Sequence, residues 1–181
     1  MKNGNGKTCL TVITYAMKHF YLKSVKTLEK ELADLISANK YPDPNIVEAT
    51  MEKLTEKQRI ASSTSIVPHD QTEEVKLGNA VEVILTGGKY RTIFIDGVGF
   101  GMEGKDFLPE NHTVIPTNSP FGKAILGKKV GEEGSYTVGN LTFKFKVVKI
   151  IPYLEAVKIF FRDLRPKEEE VKEKLQQEVT V

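Results

Sequence analysis

One stretch in the second half of the chain combines several local signals for structure: Asn118-Ser119-Pro120-Phe121-Gly122-Lys123-Ala124-Ile125-Leu126-Gly127-Lys128-Lys129-Val130-Gly131. Ser119 is of a type that caps helix N-termini, and Pro120 suits the first helical position. The apolar run Ala124-Ile125-Leu126 would bury one side of the helix, and Gly127 can take the left-handed conformation that ends it. The stretch therefore predicts one short helix that crosses a neighbouring sheet.

The sequence on both sides of this stretch alternates with a period of two residues, as half-buried strands do. Strands are predicted at Val75 to Leu77, Val81 to Leu85, Tyr90 to Asp96, His112 to Pro116, Ser135 to Val138 and Phe143 to Ile150. The alternation of Phe and Lys in the last of these is better explained by a solvated lysine face than by stacking of nucleic-acid bases. Because glycine-containing turns join neighbouring segments, we predict an antiparallel sheet of about five strands.

The N-terminal part of the chain has helical spacing instead. Apolar residues recur three or four positions apart in two series: Val25, Leu28, Leu32 and Leu35, then Val47, Met51, Leu54 and Ala61. Pro42 and Pro44 break the pattern between the series, and Asn45 can cap the second helix. The spacing predicts an antiparallel helical hairpin whose helices, of roughly 14 to 17 residues, would be about 21 to 25 Å long.

These patterns predict an α+β protein with five segments: an N-terminal extension at 1–16, the hairpin at 17–67, a linker at 68–74, the sheet domain at 75–152 and a helical charged tail at 153–181. Recognisable periodicity begins only after Met17, so Met17 is an alternative start of the functional chain to Met1.

The composition of the whole chain is that of an ordinary globular protein. Of the 181 residues, 40% are hydrophobic and 28% are charged, which excludes disordered and collagen-like classes. The formal charge of +2 predicts no general attraction to nucleic acid or to anionic membranes. A single cysteine, Cys9, and three scattered histidines indicate no disulfide, no metal site and no cofactor. Without an apolar run of membrane-spanning length, a cytoplasmic protein is expected.

The stretch at 118–131 resembles the C-terminal domain of the bacterial GreA/GreB transcript-cleavage factors, whose hallmark is Ser-Pro-x-Gly-x-Ala-Leu-Leu-Gly-Lys followed by Val-Gly-Asp/Glu. Leu77-Gly78-Asn79-Ala80-Val81 and Phe143 to Ile150 also agree with that family, so the resemblance covers about residues 75–151. Met17 to Leu35 is similar to the opening of the family's N-terminal coiled coil. The resemblance implies a short antiparallel coiled coil followed by an FKBP-like antiparallel β-sheet domain with one crossing helix.

The resemblance also implies a partner. GreA/GreB factors bind RNA polymerase with the FKBP-like domain at the rim of the secondary channel, and insert the coiled coil towards the active site. A regulator of transcription elongation, rather than an enzyme, is therefore implied, with indirect contact to nascent RNA and DNA. The candidate polymerase-binding residues are Ser119, Pro120, Phe121, Gly122 and Lys123.

The tip of the hairpin departs from the family pattern. In GreA/GreB factors an Asp-Leu-x-Glu-Asn run at the tip helps to hold a second Mg²⁺ for RNA cleavage, and this run is absent here. Asp43 and Glu48 are the candidate tip residues, but turn formation and compensation of a helix dipole explain them more simply than metal binding. The short hairpin also resembles Rnk, a Gre-like polymerase binder without the cleavage tip, so we expect weak or no stimulation of cleavage.

Two other function classes remain open at this point. A peptidyl-prolyl isomerase is suggested by the FKBP-like fold, with Tyr90, Phe94, Phe100 and Phe107 available for an aromatic pocket. Fold alone does not give function, however. The other class is an interaction adaptor for a partner other than polymerase, with the tail from Leu154 to Val181 as the recruiting segment.

Overall fold

The computed structural model of the protein describes residues 11–38, 41–100 and 108–161. The N-terminal elements are β1 (Val12–Thr14), α1 (Tyr15–Ala38), α2 (Pro44–Ala61) and β2 (Thr64–Ile66). The sheet domain and the last helix follow, with β3 (Ala80–Leu85), β4 (Tyr90–Asp96), β5 (His112–Pro116), α3 (Pro120–Ile125), β6 (Glu133–Val138), β7 (Leu141–Ile151) and α4 (Tyr153–Phe160). The α+β class and the helical hairpin are confirmed.

The large sheet has the predicted five strands, in the order β5-β4-β3-β7-β6. Three of the four strand pairs are antiparallel, but β5 runs parallel to β4, so the sheet is mixed rather than wholly antiparallel. A parallel pair needs a long crossover, and residues 97–111 provide one between β4 and β5. The segment from Val75 to Leu77, which was predicted as a strand, precedes the sheet and is not part of it.

Helices cover both faces of this sheet. On one face, α3 packs through Phe121 and Ile125 on strand residues such as Val83, Val147 and Ile150. On the other face, the bases of the hairpin helices and α4 form a second apolar cluster with Ala80, Phe94, Val114 and Ile151. Because the second cluster includes Met17 and Tyr21 of α1, the hairpin and the sheet domain share one continuous core.

The hairpin helices are longer than predicted. α1 has 24 residues and α2 has 18, which at 1.5 Å per residue makes them about 36 and 27 Å long. The predicted seam of α1 is confirmed, since Leu28, Leu32 and Leu35 are half-buried. The seam of α2 contains Thr50 instead of the predicted Met51, whose side chain is 53% exposed. The three-four spacing from Val47 leads to Thr50, and a residue one position later faces away from the partner helix.

The N-terminal extension reaches into the fold. Residues 12–16, which the sequence patterns assigned to an extension, form β1 and the start of α1, and Ile13 and Ala16 are fully buried. β1 pairs parallel with β2, so the segments that enter and leave the hairpin lie side by side. Periodicity did not reveal this part of the chain because its burial depends on residues far away in the sequence. Residues 1–10 lie outside the described part of the chain.

The predicted tail begins with a helix, as expected. α4 buries Tyr153, Ala156, Val157 and Phe160 against the sheet, and Phe161 is buried beside them. The first nine residues of the tail therefore pack on the sheet through these five side chains. The remainder of the predicted tail, 162–181, lies outside the described residues.

Candidate functional site

The helix α3 and its flanking turns are built as the local sequence predicts. The Ser119 hydroxyl accepts the N–H of Gly122 at 3.0 Å and donates to the carbonyl of Pro116 at 2.8 Å. Gly127 has φ +79°, and its N–H donates to the carbonyl of Val75 at 2.8 Å. These bonds fix both ends of α3 on the sheet domain, so the predicted cap and the predicted left-handed glycine are confirmed.

Two of the five candidate polymerase-binding residues are buried. The Phe121 ring lies with its centre 5.1 Å from the ring centres of both Tyr136 and Phe145, in the apolar cluster beneath α3. Gly122 sits so close to the backbone of Pro116 and Thr117 that an added Cβ would collide with the Pro116 carbonyl. These two residues hold α3 on the sheet and present no surface to a partner, which corrects their assignment as contact residues.

The other side of α3 faces solvent. Pro120 and Lys123 are exposed there, while Ser119 is half-buried. Two apolar residues of the same segment, Leu126 and Val130, are 38% and 56% exposed. Leu126 was predicted on the buried side, but the helix ends before this residue and its side chain faces solvent. We refer to Pro120, Lys123, Leu126 and Val130, four exposed residues of this segment, as the α3 ridge; Lys129 is exposed beside them.

Asp43, at the hairpin tip, is a helix-capping residue. Asp43 Oδ1 accepts the N–H of Asn45 at 2.9 Å, which caps the first turn of α2. Glu48 is exposed and lies beyond that first turn, so it does not compensate the start of the helix as predicted. No group of three or more potential metal-ligating side chains occurs within residues 11–38, 41–100 and 108–161. The predicted turn residues 39 and 40 lie outside the described chain.

The tip is also apolar. Tyr41 is 85% exposed and Ile46 is 51% exposed, on either side of the prolines that separate the helices. These large side chains would meet whatever surface the tip approaches. Helical spacing did not single them out, because neither belongs to the seam between α1 and α2.

The aromatic residues suggested for an isomerase pocket do not come together as one. Phe94 and Phe100 are buried, and the ring of Phe161 packs against them at 5.3 and 5.5 Å between ring centres. Tyr90 is at the other end of β4, where its hydroxyl donates to the Glu82 carboxylate. Phe107 lies outside the described residues. The two described rings of the core are therefore packed against a third ring, that of Phe161.

The base of the hairpin holds the most perturbed carboxyl group that the structure describes. Asp96, at the end of β4, is fully buried and accepts hydrogen bonds from the Thr14 N–H at 3.0 Å, the Thr14 hydroxyl at 2.5 Å and the Gly97 N–H at 2.6 Å. Desolvation raises the pKa of Asp96 to about 7, although these hydrogen bonds oppose the rise. This group was not predicted, because in the sequence Asp96 is an ordinary acidic residue at the end of a strand.

Comparison with known proteins identifies the sheet domain. Residues 70–152 match the family described as transcription elongation factor GreA/GreB, C-terminal domain. The chain is 26% identical to transcription elongation factor GreA of Caldanaerobacter subterraneus subsp. tengcongensis over 141 residues, which cover 72% of this chain and 86% of the relative.

Similar solved structures include Gfh1 of Thermus aquaticus and a GreA/GreB factor of Nitrosomonas europaea. The match to Gfh1 has 20% identity and a TM-score of 0.35, and covers 78% of this chain and 97% of that chain. The match to the Nitrosomonas factor has 16% identity and a TM-score of 0.33, and covers 78% of this chain and 98% of that chain. Among the described residues, no helix is long and apolar enough to cross a membrane.

Proposed function

We propose that the chain is a transcription elongation factor of the GreA/GreB family, because residues 70–152 match the C-terminal domain of that family, and that it binds bacterial RNA polymerase at the rim of the secondary channel and regulates elongation there. The sheet domain docks, and the hairpin occupies the channel entrance, close to nascent RNA and DNA. The chain acts as a regulator of the polymerase in the cytoplasm and is not itself an enzyme.

The α3 ridge is the proposed docking surface. One observation supports this assignment: the segment has a buried side and an exposed side. Phe121 and Gly122 are buried and attach the segment to the sheet, whereas Pro120, Lys123, Leu126 and Val130 are exposed. Exposed apolar side chains around a charged one are typical of surfaces that bind proteins. Ser119 supports this surface as a cap rather than as a contact.

A binding assay with bacterial core RNA polymerase tests the docking proposal. The chain is expected to bind, and an excess of a GreA factor is expected to displace it, because both would use the same rim site. Lys123→Glu should weaken binding without lowering the melting temperature, since the Lys123 side chain is exposed. Lys89→Glu, at an exposed turn between β3 and β4, is the matched control with the same change of charge.

Two results would contradict the proposal. The first is the absence of binding at micromolar polymerase, and the second is binding that GreA does not displace. Equal binding by the two lysine variants and the parent chain would remove the α3 ridge from the interface and leave the docking surface elsewhere on the domain.

The hairpin is proposed to give weak or no stimulation of RNA cleavage. Two-metal hydrolysis needs carboxylates that can hold a second Mg²⁺, whereas the contact described for the Asp43 carboxylate is a helix cap on the Asn45 N–H. Glu48 is exposed on the side of α2, beyond its first turn. The exposure of Tyr41 and Ile46 supports a different role for the tip, in which it occupies space in the channel and does not bring in a metal ion.

Cleavage in backtracked elongation complexes tests this second point, with a GreA factor as the positive control. We expect the chain to leave the backtracked RNA intact over times at which GreA cleaves it. Asp43→Asn keeps the cap but removes the charge, so it should not alter the result. Cleavage at a rate similar to that of GreA, lost in Asp43→Asn, would show that the tip carboxylate works with the metal ions after all.

A further inference from the structure

Two side chains of the sheet domain hold the first turn of α1. Asp96 binds the N–H and the hydroxyl of Thr14, the residue just before the helix. The Tyr153 hydroxyl, from α4, accepts the N–H of Ala16 at 3.1 Å, and the Thr14 hydroxyl oxygen accepts the N–H of Met17 at 3.2 Å. Amide groups that a helix start leaves without partners are thus satisfied partly from outside the hairpin. We call Asp96 and Tyr153 the base anchor.

The base anchor is buried and comes from two separate elements. Asp96 and Tyr153 are both fully buried, and burial raises the pKa of the Tyr153 hydroxyl, so this hydroxyl is neutral at physiological pH. Asp96 ends β4, whereas Tyr153 begins α4, just beyond the residues that match the GreA/GreB domain. Two hydrogen bonds from two separate elements define the angle between α1 and the sheet domain, which a single bond cannot do.

The other contacts between α1 and the sheet domain are less directional. Phe20 packs its ring on Phe100 with 4.5 Å between ring centres, and apolar packing of this kind permits sliding. The Tyr21 hydroxyl donates to the carbonyl of Gly99 at 2.7 Å, but Gly99 belongs to a loop and not to a strand. Among the contacts that the structure describes, the base anchor therefore supplies the hydrogen bonds from β4 and α4 to the start of α1.

We propose that Asp96 and Tyr153 are positioning residues that set the direction in which the hairpin leaves the sheet domain. α1 is a rod of about 36 Å, so a rotation of about 10° at its base moves the tip by about 6 Å. A fixed base presents the hairpin to the polymerase in one orientation; this consequence, unlike the anchor itself, rests on the function proposed above.

Distance measurements between spin labels test the proposal on the free, full-length chain. The labels are attached through Glu52→Cys in α2 and Ser135→Cys in β6, both exposed positions, with Cys9→Ser to remove the native thiol. The parent chain should give one narrow distance distribution. Asp96→Ala combined with Tyr153→Phe should broaden it about twofold, because the label in α2 lies about 14 Å from the base of the hairpin and moves with any rotation there. An unchanged width in this variant overturns the proposal.

Two further variants separate positioning from loss of stability. Asp96→Asn should restore the narrow distribution, because its oxygen can accept from Thr14 and Gly97 and its amide can donate to the Thr14 hydroxyl. Ile125→Val weakens the core on the opposite face of the sheet and should leave the width unchanged even where it lowers the melting temperature. Equal broadening by Ile125→Val would contradict the anchor, since any destabilisation would then loosen the hairpin.

A binding measurement addresses the consequence separately. If the parent chain binds polymerase, the anchor variant should bind about tenfold more weakly, because only a fraction of its hairpins would have the competent orientation. Equal binding would overturn the role of orientation in docking. The distance measurements need no polymerase, so they decide on the anchor even if the proposed function fails.

Discussion

The Asp96 carboxyl makes the stability of the fold depend on pH. Its pKa is about 7 in the folded protein and close to the ordinary value of 3.8 when the chain is unfolded. Because the folded state binds this proton more tightly than the unfolded state does, protonation of Asp96 stabilises the fold. This stabilisation is complete below pH 3.8 and is lost as the pH rises through 7. From pH 5 to pH 8 we expect this group to lower the free energy of unfolding by about 2–3 kcal/mol.

Urea denaturation of the parent chain and of Asp96→Asn at pH 5 and pH 8 measures this contribution. Asp96→Asn should lack this pH-dependent contribution. The difference in the free energy of unfolding between the two proteins should therefore change by about 2–3 kcal/mol between pH 5 and pH 8. A difference that is the same at both pH values would mean that Asp96 is ionised, or neutral, throughout this range.

Single residues were predictable where their partners are close in sequence. Ser119 caps a helix that begins at the next residue, and Gly127 ends it a few residues later, so the pattern contains both partners. Asp96 and Thr14 are 82 positions apart, and nothing in either segment indicates the other. The exposed side of the α3 segment was likewise unpredictable, because the burial of Phe121 depends on Tyr136 and Phe145 of the following strands.

At the scale of single elements, the hairpin seam distinguishes two neighbouring residues of α2. Thr50 is half-buried in the seam, whereas Met51 is exposed. Thr50→Leu should stabilise the hairpin by about 1 kcal/mol through added apolar burial, while Met51→Leu should change its stability by less than about 0.5 kcal/mol. Hydrogen exchange of the α1 and α2 amides measures both effects. The opposite ranking would place Met51 in the seam, as the sequence pattern first suggested.

The attachment of α3 depends on Phe121. Phe121→Ala removes a buried ring that two aromatic neighbours enclose, and should cost about 3–5 kcal/mol of folding free energy. Thermal unfolding followed by circular dichroism would detect this loss, with Lys123→Ala as an exposed control in the same helix. A variant that kept its full stability would contradict the packing described for α3.

Elements with strong periodicity were predicted well, and their pairing was predicted less well. The strands at 90–96 and 112–116 have the expected bounds, but alternation does not reveal whether two strands run parallel or antiparallel. The start of α1 was missed for a related reason. Its first turn is stabilised by contacts with β4 and α4 rather than by a regular apolar series of its own.

At the scale of the whole molecule, the shared core predicts that the hairpin base and the sheet unfold together. A chain that starts at Met17 would lose β1 and Thr14, and would leave the buried Asp96 without two of its three donors. Buried carboxylates that lose their partners are strongly destabilising. We expect this shorter chain to lose its cooperative thermal transition. A Met17 chain with the parent melting temperature would contradict the role given to β1.

The pairing of β1 with β2 has a consequence for how such a protein can vary. The two strands clamp the hairpin at its entry and its exit, with Val12 opposite Thr64 and Thr14 opposite Ile66. The chain between these two strands leaves the sheet domain through α1 and returns to it through α2. Equal numbers of heptads can therefore be inserted into or deleted from α1 and α2 while the register at the clamp stays the same. The length of the hairpin can therefore change during evolution without a change in the structure of the sheet domain.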